Sequence, residues 1–290
     1  MQLVKSLSRH ERALQIIRRW RLMDDAFMKR CLKDNIPAVE CILRIIMERP
    51  DLSVLSVQIE DTIPSLTGRG IRMDVHAVDE NGAEYDIEVQ RADQGAGAKR
   101  ARFNSSLLDL NSLGKGSTYE NLPHTYVIFI TEHDVWKHGL ARYHVNRVVE
   151  ELRQPFDDGS HIMYVNGEYH GNDSMGALMH DFRSDDAGKM MLPPLKEVVE
   201  RYKTNPKEVA AMCAELEKWS QEERAEGWKA GRVEGRAEGR AEGRAEGRAE
   251  GHADIVKAML RRHMSVKDIV EITGLSAAQI EQLSHQMGDA

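Results

Sequence analysis

The chain has 290 residues, 41% of them hydrophobic and 30% charged, with a formal net charge of −7. That balance describes a soluble globular protein with room for a sizeable core, and it excludes a uniformly basic nucleic-acid coat. No apolar run is long enough to cross a bilayer, and the basic N-terminus lacks the apolar segment of a signal peptide. Three scattered cysteines (Cys31, Cys41, Cys213) form no CxxC pair and read as reduced thiols of a cytoplasmic protein.

Residues 1–23 carry a local charge of +5 with histidine neutral, which suits either a solvated helix face or contact with DNA. Residues 24–49 read as helix, with Val39, Ile42, Leu43, Ile46 and Met47 at helical spacing, stopped by Pro50 and Asp51. A strand is expected near Leu55 to Ile59, and Thr67 to Gly70 reads as a loop.

Two alternating segments follow, Arg72 to Val78 and Glu84 to Gln90, joined across Asn81-Gly82 as a hairpin. A type I turn ending in a left-handed Gly82 sets His76 opposite Asp86 and Asp74 opposite Glu88. Met73, Val75, Ala77, Tyr85, Ile87 and Val89 then form one apolar face, and the other face is polar. Carboxylates directly opposite lie roughly 4.5–5.5 Å apart at Cβ and repel unless a cation lies between them. Spacing alone leaves two readings: a site for a hard divalent cation, or a solvent-facing polar side on which Arg72 and His76 offset the charge.

A helix is expected from about Ala98 to Leu113, with Phe103, Leu107 and Leu110 on its buried stripe. On that stripe Lys99 and Arg100 flank the buried face, and Arg102 points further out. Thr125 to Thr131 suits a strand buried on both faces. Tyr143 to Glu151 fits strand or helix, His161 to Val165 a strand, and 173–220 mostly helix. Residues 224–254 repeat Gly-Arg-Ala-Glu with period four. This reads either as a helix that self-associates through its Gly and Ala positions or as a charge-balanced spacer. Ser265 with Asp268 and Ser276 with Gln279 resemble capping boxes, and Gly274 suits a helix C-terminus. The final helices have helix-turn-helix spacing, but the second lacks Lys and Arg, so a packing module is favoured over groove reading. No HExxH or Walker A motif appears, which argues against zinc and nucleotide chemistry.

Several stretches carry a family resemblance: DDAFMKRCLKDN (24–35), GIRMDVHAVDENGAEYDIEVQRAD (70–93), KRARFNSSLLDLNSL (99–113), YVIFITEHDVW (126–136), HIMYVNGEY (161–169) and LMHDF (178–182). Together they resemble the PD-(D/E)xK nuclease family transposases, the Rpn-like recombination-promoting nucleases. The resemblance implies an α/β fold, a restriction-endonuclease-like αβββαβ core with a mixed sheet, followed by a helical C-terminal extension. It divides the chain into a nuclease-like domain (1–220), the repeat (221–254) and a small helical module (255–290).

It implies a divalent-metal-dependent DNA endonuclease of recombination or mobile elements, using Mg²⁺ with Mn²⁺ as substitute. Asp74, Glu88 and the Val89 carbonyl would hold the metal. Gln90 stands where many relatives have lysine, and Lys99 is a candidate to replace that charge. Asp24, Asp25 or Glu40 is a candidate additional acid, Asp24 and Asp25 being equally readable as a helix N-cap. Arg72, Arg100 and Arg102 are candidate phosphate contacts. The expected partners are DNA and, through the repeat, further copies of the chain, with no membrane and no nucleotide cofactor. The competing readings are a catalytically silent DNA-binding relative and an assembly protein that works through its repeat.

Overall fold

A computed structural model describes residues 8–63, 71–91, 93–114, 116–218 and 251–288. The described residues divide between two compact units, Met1–Glu217 and Lys218–Ala290.

The first unit opens with three helices, α1 (Arg9–Arg19), α2 (Asp25–Leu32) and α3 (Ile36–Met47). The single helix expected over 24–49 is therefore two. Asp34 takes a left-handed φ of 51°, and Asn35 caps a new helix by accepting from the Ala38 N–H at 3.3 Å. Pro37 then sits in the first turn of α3, where its missing N–H costs nothing. The expected stripe holds, since Val39, Ile42, Leu43 and Ile46 are fully buried.

Strands β1 (Val54–Ile63), β2 (Ile71–Asp79) and β3 (Glu84–Gln90) form an antiparallel meander. The loop expected at Thr67–Gly70 lies outside the described residues. After α4 (Ala98–Ser112), β4 (Thr125–Thr131) returns parallel to β3, and β8 (Ser160–Asn166) lies parallel to β4. The region left open between strand and helix is β5 (Arg142–Val145), at the sheet edge, and a small ribbon of β6 (Val148–Val149) and β7 (Gln154–Pro155). The main sheet runs β1-β2-β3-β4-β8-β5, a six-stranded mixed sheet. Helices α5 (Ser174–Arg183) and α6 (Pro193–Thr204) follow, with residues 206–218 also helical.

Alternation along β4 assigns the layers. Ile128 and Ile130 join the large core formed with α2, α3, α5 and α6. Val127 and Phe129 point the other way, against Ala101 of α4 and Tyr164 of β8. The sheet is thus covered on both faces, as the continuous apolar run of β4 requires.

Helix α4 departs from expectation. Phe103 and Leu110 are 39% and 69% exposed, while Ala101, Asn104, Ser105 and Leu108 are buried. The helix is turned because its partner is the polar face of β3, which takes small and hydrogen-bonding side chains in preference to large apolar ones. Asn104 donates to Asp86 at 3.2 Å, and Thr125 of β4 donates to Asp109 at 2.7 Å.

In the second unit, helical residues 251–261, Val266–Thr273 and Ala277–Gly288 meet around Val256, Ile269 and Ile280. Ser265 accepts from the Asp268 N–H at 3.2 Å, Ser276 from the Gln279 N–H at 3.4 Å, and Gly274 takes φ 70°. The glycine terminus and the Ser276/Gln279 capping box, in which the Ser276 N–H donates to Gln279 at 3.0 Å, fall where the sequence places them, whereas Ser265 caps its helix without the reciprocal backbone bond to Asp268. Most of the repeat (219–250) lies outside the described residues. Among the described residues no helix is long and apolar enough to cross a membrane.

Candidate active site

The hairpin is built by its turn. Gly82 takes φ 78°, a left-handed conformation open to glycine without strain, and the Asp79 N–H donates to the Ala83 carbonyl at 3.0 Å. Asp79 Oδ1 accepts from the Asn81 and Ala83 N–H groups at 2.9 Å each, and the Tyr85 hydroxyl donates to Oδ2 at 2.8 Å. His76 then pairs with Asp86 and Val75 with Ile87, the expected register.

There the β2–β3 ladder ends. The β1–β2 ladder also skips a pair at this level, passing from Ile59↔Val75 to Asp61↔Met73, with Glu60 at a left-handed φ of 56°. Beyond the kink the faces change. Val75 packs in the main core, whereas Met73 and Ile71 pack on Leu107 and Leu108 of α4. The uniform apolar face expected from Met73 to Ala77 is therefore broken at Asp74. Asp74 thus sits at the fork where β2 leaves β3, near Glu88 but not laddered to it.

The polar face of β3 is not solvent-facing. Asp86 and Glu88 are 0% exposed beneath α4. Glu88 Oε2 accepts from Gln90 Nε2 at 3.1 Å and from the Arg100 guanidinium, while Oε1 is buried without a hydrogen-bond partner. Arg100 also donates to the Gly95 carbonyl at 3.0 Å and lies 5.8 Å over the Phe129 ring. Burial, and then the Asp74 charge, push the Glu88 carboxyl up to about 7 against the opposing pull of Arg100, Lys29 and Gln90. Burial followed by Glu88 raises Asp86 well above its ordinary range, and its Oδ1 is likewise unpaired.

The strongest cation at Asp74 comes from α2. Lys29 Nζ lies 2.8 Å from Asp74 Oδ1, 2.9 Å from Asp25 and 3.5 Å from Glu60. Burial works against its charge, but Asp74 and Asp25 outweigh that and hold it above its ordinary value. Burial likewise raises Asp74, offset in part by Lys29. A cavity of about 1110 Å³ opens over this arrangement, and Lys29, Arg72, Arg91, Lys99 and Arg100 line it together with Asp25 and Asp74. Five cationic side chains against two carboxylates make it attractive to phosphate.

The other sequence candidates divide clearly. Lys99 is exposed on the cavity wall, because the rotation of α4 carries Arg100, not Lys99, onto Glu88. Asp24 stands at the N-cap position of α2, but its carboxylate accepts from the Arg21 N–H at 2.8 Å and from Arg91 at 2.7 Å. Glu40 is away from the cavity, bonded to the Val54 N–H at 3.0 Å and paired with Arg44 at 2.8 Å. Arg72 is largely exposed, 3.9 Å from Glu60, and Arg102 is exposed on the outer side of α4. Among the described residues no group of three or more His, Cys, Asp or Glu is placed to hold a metal ion.

Residues 51–169 match the family model of the PD-(D/E)XK nuclease family transposases. That stretch belongs to this family. No curated protein and no solved structure matches the chain. The matched stretch runs from β1 to β8, and the six-stranded mixed sheet with its helical C-terminal region has the character of a PD-(D/E)XK nuclease fold. Asp74, Glu88 and Gln90 fall inside it; Lys29 falls outside. Sequence reading assigned Lys29 no role at the site. Its one local signal is the Asp25/Lys29 spacing of four on a helix, which occurs in many structural helices.

Proposed function

We propose that this chain is a divalent-metal-dependent DNA endonuclease whose site is the fork between β2 and β3. The observation that carries the reading is Asp74 lining a cationic cavity, with Glu88 buried directly behind its Gln90 and Arg100 wall. A soluble protein bears the cost of an unpaired buried carboxylate oxygen only where something compensates it, and Glu88 Oε1 is such an atom. The donor set is all oxygen, which suits Mg²⁺ or Mn²⁺, and two carboxylates with the remaining positions left to water and phosphate match the coordination habit of Mg²⁺.

Asp74, Glu88 and the Val89 carbonyl would hold the cation. When bound, it would acidify an attacking water and neutralise charge gathering on the phosphate. Gln90 fixes Glu88 through its 3.1 Å hydrogen bond and supplies no charge. Lys29 supplies that charge from α2, 2.8 Å from Asp74, where it can orient a water or a phosphate oxygen. Arg72, Arg91, Lys99 and Arg100 draw the DNA backbone to the cavity.

Supercoiled plasmid tests this. The wild-type chain nicks it with Mg²⁺, and Asp74→Ala and Glu88→Ala do not. Binding without cleavage in Mg²⁺ and in Mn²⁺ would instead mark a silent relative in which Gln90 records lost chemistry.

A further inference from the structure

From the cavity a row of packed rings, Phe129 and Tyr164 buried and Trp136 exposed, leads to a surface that the phosphodiester chemistry leaves unused. From the Phe129 ring under Arg100, the Tyr164 ring is 5.3 Å away and stacked, and the Trp136 indole meets Tyr164 edge-on at 4.7 Å. Trp136 also packs on Tyr143 at 4.8 Å. This row of rings starts beneath the guanidinium that touches Glu88 and ends at an indole that is 41% exposed.

Trp136 sits in the loop after β4, at the same sheet end as Gln90, since Gln90 pairs with Thr131 and accepts from the Glu132 N–H at 3.0 Å. Asp134 locks that loop: its carboxylate accepts from the Trp136 and Gly139 N–H groups at 3.1 and 2.7 Å and from the Tyr143 hydroxyl at 2.8 Å. The nearby carboxylates are compensated locally, Glu132 by Arg21 and Arg91, and Glu168 by His133 and the Asp134 N–H. Lys137 and His138, which follow Trp136 in the chain, are exposed.

A half-exposed indole on a pinned loop, followed in the chain by an exposed lysine, is a platform for an unpaired base, because every base has a π-face and the neighbouring phosphate can meet a lysine. In a duplex the base faces are stacked on one another and cannot reach it. We infer that Trp136, with Lys137, stacks an unpaired nucleobase of the DNA strand entering the cavity, so that the preferred substrate is single-stranded or frayed DNA. This rests on the nuclease reading for its substrate but is tested by binding alone.

The test uses the full chain carrying Glu88→Gln, so that binding is read without cleavage. Fluorescence anisotropy compares a labelled single strand with a blunt duplex of the same sequence. The single strand binds more tightly. Adding Trp136→Ala weakens single-strand binding about 10-fold and leaves duplex binding nearly unchanged. Trp136→Phe retains most of the affinity, and Lys137→Glu weakens both DNAs, with thermal melts showing that each variant folds. Equal binding by Trp136→Ala, or a preference for duplex, overturns the inference. Trp136-dependent binding alongside a wild-type chain that cuts neither plasmid nor single strand in Mg²⁺ or Mn²⁺ would leave the inference standing and sink the nuclease reading.

Discussion

Glu88→Gln should separate stability from function. A carboxyl raised on folding from its ordinary 4.5 to about 7 carries no penalty below the lower value. The penalty grows as pH rises between the two and is complete above the higher one. That gap amounts to about 3 kcal/mol of lost stability. The amide removes it, and the pull of Arg100 is already contained in that gap. Without divalent cations the variant should therefore lie within about 1 kcal/mol of wild type at pH 5. It should exceed wild type by about 2–3 kcal/mol at pH 8. Urea unfolding in EDTA, followed by far-UV circular dichroism at both pH values, reads the difference directly. Adding Mg²⁺ should stabilise wild type and not the variant. A Glu88→Gln protein less stable than wild type at pH 8 in EDTA would refute the claim that this carboxylate is held under electrostatic strain.

Three further outcomes follow from neighbouring residues. Lys29→Met leaves Asp74 and Asp25 without their cation, and plasmid nicking should fall at least 100-fold with a loss of about 2 kcal/mol in urea unfolding; full activity would show that Lys29 is a bystander. A Cβ at Gly95 would lie 1.9 Å from Gln90 Oε1, so Gly95→Ala should push Gln90 off Glu88 and lower activity while the melting temperature changes little; unchanged activity would mean that Gln90 does not position Glu88. Burial works against a charged His76, but its contacts with Glu84 and Asp61 outweigh burial and hold its pKa above the ordinary 6.5. Its contribution to stability is thus present below 6.5 and lost as pH rises through the higher folded value. Unfolding of His76→Gln should accordingly differ most from wild type near pH 6 and converge above pH 8 on this sign, and a gap that widens with pH would contradict it.

The hairpin register was legible because turn chemistry and strand alternation point to the same pairing: a glycine at the left-handed position and an aspartate that collects the turn's N–H groups. The fork at Asp74 was not, because it depends on a left-handed Glu60 in β1, and glutamate gives no sign of adopting that conformation. The face of α4 misled for a related reason. Phe103 and Leu110 outweigh Asn104 and Ser105 on any apolar count, yet Asn104 and Ser105 are the ones that can lie on a strand bearing Asp86 and Glu88. Lys29 lies 45 residues from the partner it neutralises, and only the packing of α2 against β2 brings them together. Trp136 offered nothing in one dimension, since its value comes from three rings on other strands and from the position of Arg100.

Mn²⁺ binding to the full chain, counted by electron paramagnetic resonance at neutral pH, bears most directly on the metal reading. One bound ion per chain, displaced by Mg²⁺ and lost in both Asp74→Asn and Glu88→Gln, is the expected result. Undiminished binding by those two variants would place any metal elsewhere and leave the fork as a buried structural charge cluster.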